Sequence, residues 1–275
     1  MLARRGALAG LAGLLGGCSP ASLLNVTVPR EGYTLTADIA YGTHPRQTLD
    51  IYRPTTPADG NPAVLFFYGG SWTAGRKDDY LFVGQALAAR GVTTIVADYR
   101  LYPEVTYPAF VEDGAMAAKW SADNAGTTRL FLMGHSAGAY IALMLAANTP
   151  YLAAAGVDRT KLAGVIGLSG PYDFLPLTSK RLQEIFGGAN RRETQPIAYV
   201  GGPLPPVLLV HGTDDTIVRP ANSERLAAAW RQAGGMAELR LYPDIGHIDV
   251  VAAFADFLHK RAPSRDDALA FIARR

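Results

Sequence analysis

The chain has 275 residues, 49% of them hydrophobic and 18% charged, with a formal net charge of +2. That is enough apolar sequence to bury one large core, and length alone leaves one or two domains open. The near-neutral charge gives no basic footprint for nucleic acid, and a single cysteine, Cys18, excludes a disulfide framework.

The first residues differ from the rest. "MLARRGALAGLAGLLGGCS" places Arg4 and Arg5 before an apolar run from Ala7 to Leu15, then Gly16, Gly17 and Cys18. A basic start, a short apolar core and small residues at a cut site are the features of a secretory signal. The run is too short to span a bilayer comfortably. Leu15-Gly16-Gly17-Cys18 resembles a bacterial lipobox. The resemblance implies cleavage before Cys18 and lipidation of that cysteine. It also implies export to the periplasmic or outer side of a bacterial membrane, the outer membrane being favoured by the serine that follows. The expectation is a signal peptide at 1–17, a lipid-anchored tether at 18–34 and a catalytic body at 35–275. The plainer alternative is a start-site artefact or a frayed apolar end. Losing residues 1–17 removes Arg4 and Arg5 and leaves the body formally neutral, so lipid rather than charge would hold it at a membrane.

In the body, "TLDIYRP" (Thr48 to Pro54) alternates polar and apolar residues and stops at a proline, which suits an edge strand. "AVLFFYGG" (Ala63 to Gly70) is continuously apolar, as a strand buried on both faces should be. Five further strand patterns follow: Val92 to Arg100, Arg129 to Gly134, Leu162 to Gly170, Pro206 to Gly212 and Glu238 to Pro243. Helical patterns separate them. One ends at Gly91 and another starts after Pro108. A third carries Leu226, Ala229 and Trp230 on one face. The last main one puts Val250, Phe254, Phe257 and Leu258 on one stripe. Ser264 and Asp267 stand at capping-box-like spacing before a short terminal helix. Strands alternating with helices predict a mostly parallel sheet covered on both faces, with the early strands pairing antiparallel. Residues 171–205 carry no clear strand. Their double glycines and prolines predict a lid-like insert, a helix plus loops, flanking the site.

Sites in such sheets form at the carboxyl ends of the strands, and each unusual motif falls at one. "GHSAG" sits directly between the strand "RLFLM" and the helix "AYIALMLAA". A serine there could be a plain tight turn. In this context it fits G-x-S-x-G, a strained strand-to-helix turn that lifts a nucleophilic hydroxyl clear of the sheet. Gly134 and Gly138 supply the small residues this crowding needs, and the amide of Ala137 lies at a helix N-terminus, where it can stabilise an oxyanion. A serine needs a base, and of the five histidines His247 is placed for it, in the loop after a late strand. The histidine needs a carboxylate to fix its tautomer. Asp214 and Asp215 both follow the preceding strand. Asp215 matches H-G-x-x-D, and Asp214 is then a solvated turn residue or a cap. The chain order Ser136, Asp215, His247 is that of the α/β-hydrolase triad. After "FFYGG", the amides of Gly70 and Ser71 are expected to join that of Ala137 in an oxyanion hole. Trp72 reads as a pocket wall or as a packed loop aromatic.

With these residues in hand, the chain from about Gly42 to His259 resembles the α/β-hydrolase superfamily, and within it the esterase/lipase branch related to hormone-sensitive lipase and arylformamidase. "YGGSW", "DYRLYPE", "GHSAG", "HGTDD" and "GH" carry the resemblance. It implies an α/β fold with an eight-stranded, mostly parallel sheet and helices on both faces. There are departures. Tyr68 stands where the branch has histidine, and Ser71 replaces the third glycine. Tyr68 could take over the histidine's structural hydrogen bonds. An open pocket is expected, walled by Trp72, the Tyr102–Tyr107 loop and the insert, with Tyr68 and Trp72 as its substrate-pocket residues.

The expected activity is hydrolysis of a small-molecule carboxylic ester through an acyl-enzyme, with no cofactor, no metal and no obligatory protein partner. The alternatives are an arylformamidase-like amidase and, from another class, a non-catalytic lipoprotein that binds through the same fold.

Overall fold

The computed structural model describes residues 22–275. The expected signal peptide and Cys18 lie outside the described residues. Eight strands form one sheet: β1 (Tyr33–Ala40), β2 (Thr48–Pro54), β3 (Ala63–Phe67), β4 (Thr93–Ala97), β5 (Leu130–His135), β6 (Leu162–Leu168), β7 (Val207–Gly212) and β8 (Ala237–Tyr242). Their spatial order is β1-β2-β4-β3-β5-β6-β7-β8. The helices are α1 (Leu81–Ala88), α2 (Ala109–Asn124), α3 (Ala137–Ala147), α4 (Thr149–Ala154), α5 (Lys180–Phe186), α6 (Ala221–Gln232), α7 (Asp249–Ala252) and α8 (Ser264–Ala273).

Pairing is parallel from β4 through β8 and antiparallel at β1–β2 and β2–β4. Every residue of β3, β4, β5 and β7 is buried. Successive side chains point to opposite sides of a strand, so both faces of the sheet centre are covered. This is why those strands read as unbroken apolar runs. The chain goes from β3 to β4 in one direction and then returns past β3 to β5. With right-handed crossovers, that reversal puts α1 on the opposite face from α2 and α3. The ends of β3 and β5, paired at Phe67 and Gly134, therefore flank a topological switch point.

Several expectations change. β2 is not an edge strand, because β1 pairs with its outer side over Tyr33–Pro54 to Ala40–Thr48. Nor do β2 and β3 pair, since β4 lies between them. The edge is β1, largely exposed and interrupted by a register shift between Thr36 and Ile39, with Asp38 at φ 57°. Its start at Tyr33 precedes the expected body boundary at 35. Before it, Ser22–Thr27 form a 3₁₀ turn tied to the body, with the Asn25 side chain donating to the Asp78 carbonyl and accepting from the Phe82 amide. The late helix breaks after Ala252, as Ala255 turns extended (φ −67°, ψ 132°). Val250 and Phe254 stay buried while Phe257 is exposed. Ser264 caps nothing: it lies inside α8, and its hydroxyl donates to the Val250 carbonyl.

Candidate active site

The strand-to-helix turn is set by close approach of backbone. A Cβ on Gly134 would lie 2.3 Å from the Gly138 carbonyl carbon, and one on Gly138 would lie 2.0 Å from the Phe67 oxygen at the end of β3. No side chain fits either gap. Between them Ser136 has φ 54° and ψ −120°, a conformation L residues avoid at a cost of about 1–3 kcal/mol. Its amide donates to the Leu168 carbonyl at 2.9 Å, pinning the turn to the end of β6. The hydroxyl faces a cavity of about 700 Å³, lined by Ser136 and Ala137 on one side.

Asp215 and His247 meet across the ends of β7 and β8. His247 Nδ1 donates to Asp215 Oδ2 at 2.7 Å, and both residues are buried. Nδ1 therefore carries the proton and Nε2 is left free as a base. Asp215 Oδ1 accepts from the amides of Ile217 (2.9 Å) and Val218 (2.8 Å), and Oδ2 lies 3.2 Å from His211 Nε2. Burial pushes the Asp215 carboxyl up, but the bonds from His211, His247 and the Val218 amide outweigh it and hold the group well below the usual carboxylate range. The carboxylate stays ionised and the imidazole stays oriented. Asp214 is exposed, as the alternative assignment required. Ser136 makes no hydrogen bond to His247; such bonds often form only with substrate in place.

The loop after β3 turns through three successive residues with positive φ: Gly70 (139°), Ser71 (53°) and Trp72 (59°). A Cβ on Gly70 would lie 2.1 Å from the Ala74 oxygen. The Gly70 carbonyl is occupied by the amides of Thr73 and Ala74. Among the described residues, no acceptor takes the amides of Gly70, Ser71 or Ala137. Ser71 and Ala137 line the cavity with Ser136, while Gly70 does not.

Residues 49–230 match the family model named BD-FAE. The chain belongs to the BD-FAE family. A probable isoprenylcysteine alpha-carbonyl methylesterase of Oryza sativa subsp. japonica is 31% identical over 240 residues, 77% of this chain and 56% of that protein. The kynurenine formamidase of Danio rerio is 28% identical over 150 residues, 54% of this chain and 50% of that protein. The chain thus spans about half the length of these relatives. A hormone-sensitive lipase from a metagenome library superposes with a TM-score of 0.73 at 24% identity, covering 93% of this chain and 90% of that one. That likeness is one of fold, and the BD-FAE chain has the α/β-hydrolase fold.

Two pocket expectations are corrected. Tyr68 does not reach the cavity. It is fully buried, its ring stacks on Tyr99 (centroids 4.7 Å apart), and its hydroxyl donates to Asp98 Oδ1 at 2.7 Å while accepting from Arg46 Nη2 at 2.7 Å. It holds the β3 loop from behind. The Tyr102–Tyr107 loop does not line the cavity either. The Tyr102 amide donates to the Trp72 carbonyl and the Tyr107 amide to the Ile185 carbonyl, so it buttresses the loops that do. Trp72 fills both of its readings: it lines the cavity and packs edge-on against Tyr140 and Phe186.

The 171–205 insert forms the opposite wall through Phe174, Leu175, Leu177 and Leu182. The Tyr140 hydroxyl ties it down at the Thr194 carbonyl, 2.6 Å away. The insert was expected as a wall, but its individual lining residues were not: Phe174, Leu175 and Leu177 lie in irregular backbone with no periodicity to read, and Leu182 stands in the short α5. His135, the variable residue of G-x-S-x-G, carries no signal of its own in the sequence, yet its Nε2 lies 3.0 Å from the His247 carbonyl.

Proposed function

We propose that this chain hydrolyses carboxylic esters through an acyl-enzyme. The observation that carries the reading is the buried Asp215–His247 pair at the ends of β7 and β8, together with a strained serine that faces a cavity and whose neighbour His135 contacts His247. Ser136 Oγ attacks the ester carbonyl carbon and gives its proton to His247 Nε2. The amides of Ser71 and Ala137, with that of Gly70, hold the tetrahedral oxyanion; losing one such donor typically costs about 10²- to 10³-fold in rate. As the carbon–alkoxide bond breaks, His247 returns the proton to the leaving alcohol. Water then enters, gives a proton to His247, and its oxygen attacks the acyl carbon, releasing the acid and restoring Ser136. Asp215 stays ionised throughout, stabilising the imidazolium. The methylesterase relative supports the same chemistry.

The test is hydrolysis of p-nitrophenyl acetate, butyrate and octanoate by residues 22–275, beside the Ser136→Ala form. Ester turnover abolished by the substitution, with stoichiometric labelling of the parent by a fluorophosphonate, is the expected result. A well-folded protein that neither turns over nor labels would leave a binding module. The formamidase relative favours a second substrate, an N-formyl aromatic amine, on the same three residues. Turnover of N-formylkynurenine faster than any ester would move the assignment there. From the sequence we also propose export and lipid anchoring through Cys18. Mass spectrometry of membrane-fraction protein should find a diacylglyceryl group on that residue, and an intact Met1 in the cytosol would exclude it.

A further inference from the structure

The cavity beside Ser136 is apolar over most of its lining, with Phe174, Leu175, Leu177, Leu182, Ile217 and Val218. Its charge is uneven. Two guanidinium groups, Arg219 and Arg225, and one carboxylate, Asp173, line it. Arg225 is engaged: Nε donates to Asp173 Oδ2 and Nη2 to the Asp173 carbonyl, both at 2.6 Å. This pair uses up the one negative charge in the lining. Among the described residues, the Arg219 guanidinium has no hydrogen-bond or ion-pair partner. Only its carbonyl is used, by the amide and side chain of Asn222.

The backbone that carries Arg219, an exposed residue of the cavity lining, is held in a fixed relation to Asp215 and His247. The turn from Asp215 to Arg219 is folded around the Asp215 carboxylate, which takes the amides of Ile217 and Val218. The same carboxylate holds His247. One short turn therefore sets the orientation of the imidazole and carries to the cavity wall Arg219, whose guanidinium is unpaired among the described residues. Ile217, two-thirds exposed (67%), and Val218 fill the apolar stretch between them. A guanidinium has a planar fork of donors that matches a carboxylate, and at the edge of an apolar cavity it is less screened than on an open surface.

We propose that the preferred substrates are esters carrying a carboxylate remote from the scissile bond, joined to it by an apolar spacer, with Arg219 receiving that carboxylate. This rests on the ester-hydrolase reading above and narrows its substrate class. The acid can stand on the acyl or the alcohol side of the ester, and the chemistry of recognition is the same.

The experiment measures kcat/KM by pH-stat in two arms. Monomethyl adipate is compared with methyl hexanoate, and 4-butyryloxybutanoate with pentyl butyrate. In at least one arm the acidic ester should be favoured by about tenfold or more, the size expected of a charge-assisted pair. The arm that shows it assigns the side. Arg219→Gln should lower that acidic-to-neutral ratio about tenfold, mainly through KM, and raising salt to about 0.5 M should compress it in the parent. Arg192→Gln removes an equal charge from an exposed turn outside the cavity and should leave the ratio as it was. Neutral esters turned over as well as acidic ones in both arms would overturn the proposal. So would a preference that survives Arg219→Gln or falls equally with Arg192→Gln. Failure of the parent on all four esters, with p-nitrophenyl butyrate still turned over, would overturn this inference alone, and failure on p-nitrophenyl butyrate as well would overturn the ester-hydrolase reading and this inference with it.

Discussion

His135 Nε2 lies 3.0 Å from the carbonyl oxygen of His247, and the two rings are 4.8 Å apart. A carbonyl only accepts, so Nε2 carries the hydrogen and Nδ1 is bare. Among the described residues, that buried Nδ1 has no partner. The residue beside the proposed nucleophile thus anchors the backbone of the proposed base. It joins the end of β5 to the loop after β8, far apart in the sheet order.

If that tether sets the position of the imidazole, its removal should act on kcat. His135→Leu is expected to lower kcat by about 10²-fold with little change in KM, the scale of loss from a reacting group displaced by an ångström. Gln places an amide nitrogen near the position of Nε2, so His135→Gln should recover most of the rate. Steady-state kinetics on a p-nitrophenyl ester decide it. Equal loss in both variants would mean that the ring's shape, and not its hydrogen bond, is what matters.

The same histidine predicts an acid limit to stability. Burial, with a smaller contribution from His247, pushes its pKa down from 6.5 to about 3. In the unfolded chain it takes up a proton as pH falls through about 6.5, and in the folded chain it does so only near 3. Its contribution is therefore fully present above pH 6.5 and is lost on going down, by about 1.4 kcal/mol per pH unit across that window. Asp215, held low, adds to the same slope only as pH falls through the ordinary carboxylate range. Urea unfolding at pH 7, 6 and 5 should show the fall. His135→Gln should flatten it, and an unchanged slope in that variant would place the acid sensitivity elsewhere.

Tyr68→Phe separates a structural role from a role in the pocket. The Tyr68 hydroxyl links Arg46 to Asp98, whose other oxygen contacts are few. Asp98 Oδ1 also takes the Lys77 amide, and Arg46 reaches on to the Gly75 and Tyr99 carbonyls. Burial already pushes the Asp98 carboxyl up. Deleting the hydroxyl leaves charged partners short of a bond, at a cost of about 1–3 kcal/mol. The expected outcome is a lower denaturation midpoint with an unchanged chain-length profile on p-nitrophenyl esters. A shifted profile would show that Tyr68 acts on the pocket after all.

What the sequence made legible follows from burial. Strands such as β3, β5 and β7 are covered on both faces, so packing alone dictated apolar runs that could be read directly. The positions of Ser136 and Asp215 were readable because each sits just past such a run, whereas His247 follows β8, a half-exposed strand, and was readable from its place in a loop after a late strand. β1 was not located, since most of its residues face solvent and no face of it is required to be apolar. The late helix was over-extended because Val250, Phe254 and Phe257 share a helical spacing, although Ala255 leaves the helix and exposes Phe257. Tyr68 was placed in the pocket through the resemblance, at the position where the branch has histidine. Only tertiary contact reveals that its ring turns the other way, onto Tyr80 and Tyr99. Arg219 carried no pattern at all: its meaning depends on Arg225 being neutralised by a residue 52 positions away.

The strain at Ser136 has a measurable signature of its own. Ordinarily glycine is less stable than alanine at a given position by about 1 kcal/mol, because it loses more backbone freedom on folding. At φ 54° and ψ −120° the order should reverse. Alanine keeps a Cβ and retains the strain, whereas glycine reaches this region without penalty. Against about 1–3 kcal/mol of strain, the entropic loss leaves Ser136→Gly more stable than Ser136→Ala by about 1 kcal/mol. Both variants should be inactive on esters, so the comparison is free of any ligand effect. Urea denaturation of the two at pH 7 makes the measurement. A glycine variant less stable than the alanine variant would mean that the turn is held without strain, and that the crowding at Gly134 and Gly138 alone shapes it. The expected order would instead mark the proposed nucleophile as a place where stability has been given up for the position of one hydroxyl.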